Sequence, residues 1–90
     1  MTGASLWPRV SALTGQRVRA TRQELGLSQE QFATLVGKRA RVGSQRPSVF
    51  TVSRWERDAK SPGMLWGPAL LALVEESEAR RRVQEAASGA

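Results

Sequence analysis

Lys38, Arg39, Arg41, Arg46, Arg54, Arg57 and Lys60 crowd into residues 37–60 against only Glu56 and Asp58, seven cations to two carboxylates. That local +5 accounts for nearly all of the chain's formal +6. Such a cluster offers attraction of a polyanion, and a pI of about 11.5 agrees. Nucleic acid heads the list of partners and an acidic membrane surface follows. The plain alternative is a solvated charge run that aids solubility. Other chemistry is scarce. With no cysteine and no histidine the chain has no disulfide, no thiolate metal site, no zinc finger and no imidazole base. The carboxylates are scattered, and Glu75, Glu76 and Glu78 read as a solvated helix face. No enzyme activity, cofactor or metal is expected.

Ninety residues make one domain, able to fold alone but too small to enclose a roomy active site. No apolar run approaches the ~18 residues of a membrane span, and Met1 to Leu13 lacks the pattern of a secretory leader. No membrane partner is expected, and a cytoplasmic location is.

The elements that must position the cations can be read from spacing and caps. Residues 1–13 mix Gly3, Ser5, Pro8 and Ser11 with an isolated Leu6-Trp7 pair and read as a flexible arm, Trp7 either docking or staying exposed. Thr14 is a plausible N-cap for a helix ending at Leu25, with Val18, Thr21, Arg22 and Leu25 on one face and Gly26 as the C-terminal glycine. Ser28 and Gln31 form a capping-box pattern opening a second helix buried through Phe32, Ala33, Leu35 and Val36. From Gly37 to Pro47 the periodicity fails and a loop is expected. Ser48 then caps a helix from Val49 to about Arg57, with Val52 and Trp55 or Glu56 inward and Val49, Phe50, Ser53 and Arg54 outward. An exposed Val-Phe pair needs a reason. After a turn at residues 58–63, Met64 to about Arg82 forms a last helix, with Pro68 near its first turn and Arg80, Arg81 and Arg82 suited to its C-terminal dipole. Residues 83–90 read as a flexible tail, leaving 14–82 as the folded domain.

Two stretches in this order resemble the Cro/repressor-type, XRE-like helix-turn-helix family. Arg22-Gln23-Glu24-Leu25-Gly26-Leu27-Ser28-Gln29-Glu30-Gln31-Phe32-Ala33-Thr34-Leu35-Val36-Gly37 is similar to the family's first two helices. Thr51-Val52-Ser53-Arg54-Trp55-Glu56-Arg57 is similar to the end of its recognition helix, and Pro62 with a leucine-rich helix follows as in the family. The resemblance implies an all-α fold, a compact four- to five-helix bundle of the lambda-repressor-like kind. It also implies function: Gln29, at a helix N-terminus, would fix register on a phosphate, and Ser48, Val49, Phe50, Thr51 and Arg54 would reach base edges in the major groove. Arg54 could pair bidentately with guanine, while Val49, Phe50 or the Thr51 methyl could meet thymine methyls. In some members Arg22 and Glu56 correspond to a buried ion pair joining the first helix of the unit to the recognition helix.

The chain departs from the family between Gly37 and Val52, where a basic insertion lengthens the turn. Its Lys38, Arg39, Arg41 and Arg46, with Lys60 beyond the recognition helix, would grip the DNA backbone or minor groove, though the insertion could equally prolong the preceding helix. Asp58 stands where a helix-ending glycine is common, and aspartate tolerates the left-handed conformation. The leading expectation is a sequence-specific double-stranded DNA-binding regulator, a repressor or antitoxin-like autoregulator. It would bind as a homodimer through Leu65, Trp66, Leu70 and Leu73, with a toxin or other protein partner compatible with the family. A protein-interaction adaptor and a nonspecific DNA-binding protein on the same fold are the alternatives. RNA is disfavoured because no aromatic stacking platform is evident.

Overall fold

Three hydroxyl side chains start three of the helices. In the computed structural model, which describes residues 3–89, Thr14, Ser28 and Ser48 each sit in extended backbone and accept a hydrogen bond from the amide three residues on. Each satisfies one of the amides a helix start leaves open. At Ser28 the box is complete, because the Gln31 side chain accepts in return from the Ser28 N–H. The elements are α1 (Gly3–Ser11), α2 (Gly15–Glu24), α3 (Gln29–Ala40), α4 (Val49–Glu56) and α5 (Gly63–Gly89).

Two helix ends are closed in the same way. At the end of α2, Gly26 takes φ 70° and the Leu27 amide reaches back to the Arg22 carbonyl at 3.1 Å. At the end of α4, Asp58 takes φ 59° and the Ala59 amide reaches the Arg54 carbonyl at 2.8 Å. Both are Schellman closures, one with the usual glycine and one with aspartate. Asp58 adds a second bond: its Oδ1 accepts from the Gly15 amide at 2.7 Å, tying the α4 exit to the α2 start. Gly15 has to be glycine there, since a Cβ would lie 2.2 Å from the Glu56 carbonyl oxygen.

Helix α5 runs against α1, α2 and α3, while α4 packs on α2 and α3. The core between them is Val18, Phe32, Ala33, Val36, Val52, Trp55, Ala69, Leu70, Leu73 and Val74. This is the all-helical bundle anticipated from periodicity. Several local expectations are corrected. Residues 3–11, read as an arm without secondary structure, form α1, whose Val10 is buried. Its packing needs Gly67, where a Cβ would fall 2.9 Å from Val10 Cγ1. Trp7 lies over the same glycine and stays partly exposed.

Leu70 and Leu73, expected at a dimer interface, are buried in the chain's own core, and Leu71 is buried as well. Leu65 remains exposed and Trp66 is half-buried against the core. Helix α5 also continues past Arg82 to Gly89, so the three arginines lie inside it rather than at its C-terminus. Instead of complementing a dipole, Arg81 sits 3.4 Å from Glu24 of α2. Pro68 falls in the second turn of α5 rather than the first.

Candidate nucleic-acid interface

Helix α4 buries Val52, Trp55 and Glu56 and turns Val49, Phe50, Arg54 and its cap Arg57 outward. Positions 50, 54 and 57 recur at helical spacing and so share one face. Phe50 is 78% exposed and so does not pack beneath the segment that precedes α4. Ser48 and Thr51 are less free. The Ser48 hydroxyl accepts from the Thr51 amide at 3.1 Å and lies 3.0 Å from the Thr51 hydroxyl. Their first task is to start α4.

The segment from Gly37 to Pro47, expected as a loop, divides in two. Its first part lengthens α3 to Ala40, leaving Lys38 and Arg39 on a helix rather than in a loop. Arg41 ends α3 in the left-handed region at φ 58°. The remainder then crosses back over α3 at Gly37, where a Cβ would lie 2.6 Å from the Gln45 carbonyl oxygen and 2.7 Å from Arg46 Cβ. Only glycine admits so close a crossing of backbone over helix. Arg46 pins the return by donating to the Thr34 hydroxyl at 2.9 Å. Pro47 is buried at its end, immediately before the α4 cap.

Ion pairs sort the cations. Arg9 pairs with Glu75, Arg17 with Glu78, Arg39 with Glu76 and Arg81 with Glu24. Three of these pairs lie on α5 carboxylates facing α1, α2 and α3. Arg39, assigned to DNA from sequence, is thus bound to Glu76 in the free protein. By contrast, Lys38, Arg41, Arg46, Arg54, Arg57 and Lys60 are all exposed and, among the described residues, none has a carboxylate within salt-bridge distance. Most of the uncompensated charge therefore belongs to α4 and the segments on either side of it. Arg57 was not assigned to the DNA interface from sequence, although the i, i+4, i+7 spacing from Phe50 was the available signal.

Beneath this surface Arg22 and Glu56 do pair. Arg22 Nε donates to Glu56 Oε2 at 2.6 Å and Nη2 to Oε1 at 3.2 Å, and Nη1 donates to the Leu27 carbonyl at 3.0 Å. The fork thus holds α4 to α2 and to the turn before α3. Gln29, expected on a phosphate, donates its side-chain amide to Glu56 Oε1 at 3.3 Å. Arg19 Nε, overlooked by sequence, lies 3.5 Å from the same oxygen.

Among the described residues no group of acidic side chains is placed to hold a metal ion, and no helix is long and apolar enough to cross a membrane. Comparison of the chain with family models, with curated proteins and with solved structures finds no match.

Proposed function

We propose that this chain is a sequence-specific double-stranded DNA-binding regulator of the repressor or autoregulator kind, with α4 as the helix that enters the major groove. The observation that carries the reading is the coincidence on α4 of an exposed Phe50 and Arg54 with the main concentration of unpaired cations around it, among the described residues. Each component has a distinct task. Arg54 suits a bidentate contact to guanine, and Val49 and Phe50 suit thymine methyl groups, which explains apolar side chains left in water. Lys38, Arg41, Arg46, Arg57 and Lys60 lie to either side for phosphates, which position without specifying. Arg39 contributes only if it leaves Glu76.

Homodimerisation on a palindromic site belongs to the same proposal. With Leu70 and Leu73 in the core, the surface left for it is Leu65 and Met64, beside a shallow groove lined by Ala40, Val42 and Pro68. Sedimentation showing a monomer at micromolar concentration, both free and on DNA, would remove this part and leave the rest standing.

The test is binding of labelled duplex DNA as a function of salt. The Lys38→Ala/Arg41→Ala double variant is expected to bind all sequences more weakly and to lower the slope of log K against log [salt] by up to about 0.9 for each phosphate left without its cation. A protein adaptor on the same fold would show no salt-dependent duplex binding at all.

A further inference from the structure

Two arginines one turn apart on α2 address the same buried carboxylate and are placed for different work. Arg22 is 17% exposed and has each of its three nitrogens engaged, two on Glu56 and one on the Leu27 carbonyl. Arg19 is 54% exposed and reaches Glu56 through Nε alone, at 3.5 Å. No hydrogen bond holds it, since that separation lies at the edge of what a charged pair uses. The Gln29 side chain converges on the same Glu56 Oε1 at 3.3 Å, from the first turn of α3.

We infer that Arg19 is a phosphate-binding residue of the proposed interface, closing on the same phosphodiester group of duplex DNA that Gln29 receives. The inference rests on the DNA-binding reading above. The exchange costs the fold little, because Glu56 keeps its two bonds to Arg22 when Arg19 and Gln29 turn outward. A buried carboxylate is not stranded, and an arginine fork moves from one anionic oxygen to another. Glu56 thereby stores both side chains next to the place where the phosphate arrives, which limits the ordering that binding must supply. Arg19 also lies outside the segment 37–60 that holds most of the unpaired cations, so the protein would grip the backbone from α2 as well as from α4.

The experiment is equilibrium binding of a fluorescein-labelled random-sequence duplex across a salt series, with thermal unfolding measured on the same proteins. Arg19→Ala is expected to weaken binding at every sequence, to reduce the salt slope by about 0.9, one phosphate's worth, and to leave the melting temperature where it was. Arg80→Ala, which removes an exposed cation of α5 that has no carboxylate within salt-bridge distance among the described residues, is expected to keep the full slope. Arg22→Ala is expected to lower the melting temperature. An Arg19→Ala slope equal to the wild type, or an equal reduction in Arg80→Ala, overturns the inference while leaving the DNA-binding reading intact. Absence of salt-dependent binding by the wild-type chain overturns both.

Discussion

Glu56 is the residue on which the most depends. Its side chain is 1% exposed, and two bonds from Arg22 make that burial tolerable, with a further bond from Gln29. Removing one partner of such a pair leaves the other uncompensated, so Glu56→Ala is expected to cost about 3 to 5 kcal/mol in urea denaturation, while a surface pair such as Arg9–Glu75 contributes less than about 1 kcal/mol. Arg17 and Glu78 form the best-aligned of the peripheral pairs, with two bonds of 2.8 Å. The Arg17 hydrogen bonds hold the Glu78 carboxyl below its ordinary value, outweighing the opposing effect of burial. A lowered carboxylate pKa gives stability that is complete above the ordinary value near about 4.3 and lost as pH falls through the lowered one. Glu78→Gln is therefore expected to flatten the acid limb of a stability-against-pH curve; an unchanged acid limb would show that the pair does not matter. At this scale the sequence was most legible where a residue type has one use in one place. The three caps, Gly26 and the left-handed Asp58 all stand where their chemistry puts them, whereas the Arg22–Glu56 pair was legible only through the family resemblance. The partners of Gln29, Arg39 and Arg46 were not legible, because nothing in the spacing of an exposed side chain says which distant carboxylate or hydroxyl it will meet.

At the scale of elements, the joints matter more than the helices they join. Asp58 does two things at once, taking a left-handed backbone and bonding the Gly15 amide. The left-handed conformation costs a residue with a side chain about 1 kcal/mol, and loss of a capping carboxylate costs about 0.5 to 2 kcal/mol. Asp58→Ala is expected to lose the bond and keep the strain, and Asp58→Gly to lose the bond but relieve the strain, so the glycine variant should be the more stable of the two. Equal stabilities in urea denaturation would mean that the strain is negligible. Gly37→Ala is expected to push residues 45 and 46 off α3, since its Cβ meets backbone and Cβ atoms rather than a flexible side-chain end. Because those residues place Ser48, the first turn of α4 should loosen before the core does. Faster hydrogen exchange at the Thr51 and Val52 amides, which bond to Ser48, than at Trp55, relative to wild type, would report it. The segment between Gly37 and Pro47 was the least legible: its basic stretch has no periodicity strong enough to decide how far α3 continues. The arm was misread for a related reason. A helix as short as α1 is marginal alone and exists through its packing on Gly67, which is far away in sequence.

For the whole molecule, the distribution of charge is the organising feature. Carboxylates at 75, 76 and 78 meet arginines of α1, α3 and α2, which fastens α5 to three helices and neutralises that side. Most of the cations left over gather about α4, where they would steer a polyanion toward the helix carrying Phe50 and Arg54. The all-helical class and most of the core were readable from periodicity, whereas the burial of Leu70 and Leu73 among residues of α2, α3 and α4 could not be read from α5 alone. The proposal that α4 reads base sequence is tested most directly by selecting binding sites from random duplex DNA with the wild-type chain and with Arg54→Ala. A defined site is expected, with guanine preferred at one position or its symmetry mate, and that preference should vanish in the variant at a cost of about 1 to 3 kcal/mol. Recovery of no preferred sequence by the wild type, or of the same sequence with the same preference by Arg54→Ala, would refute it.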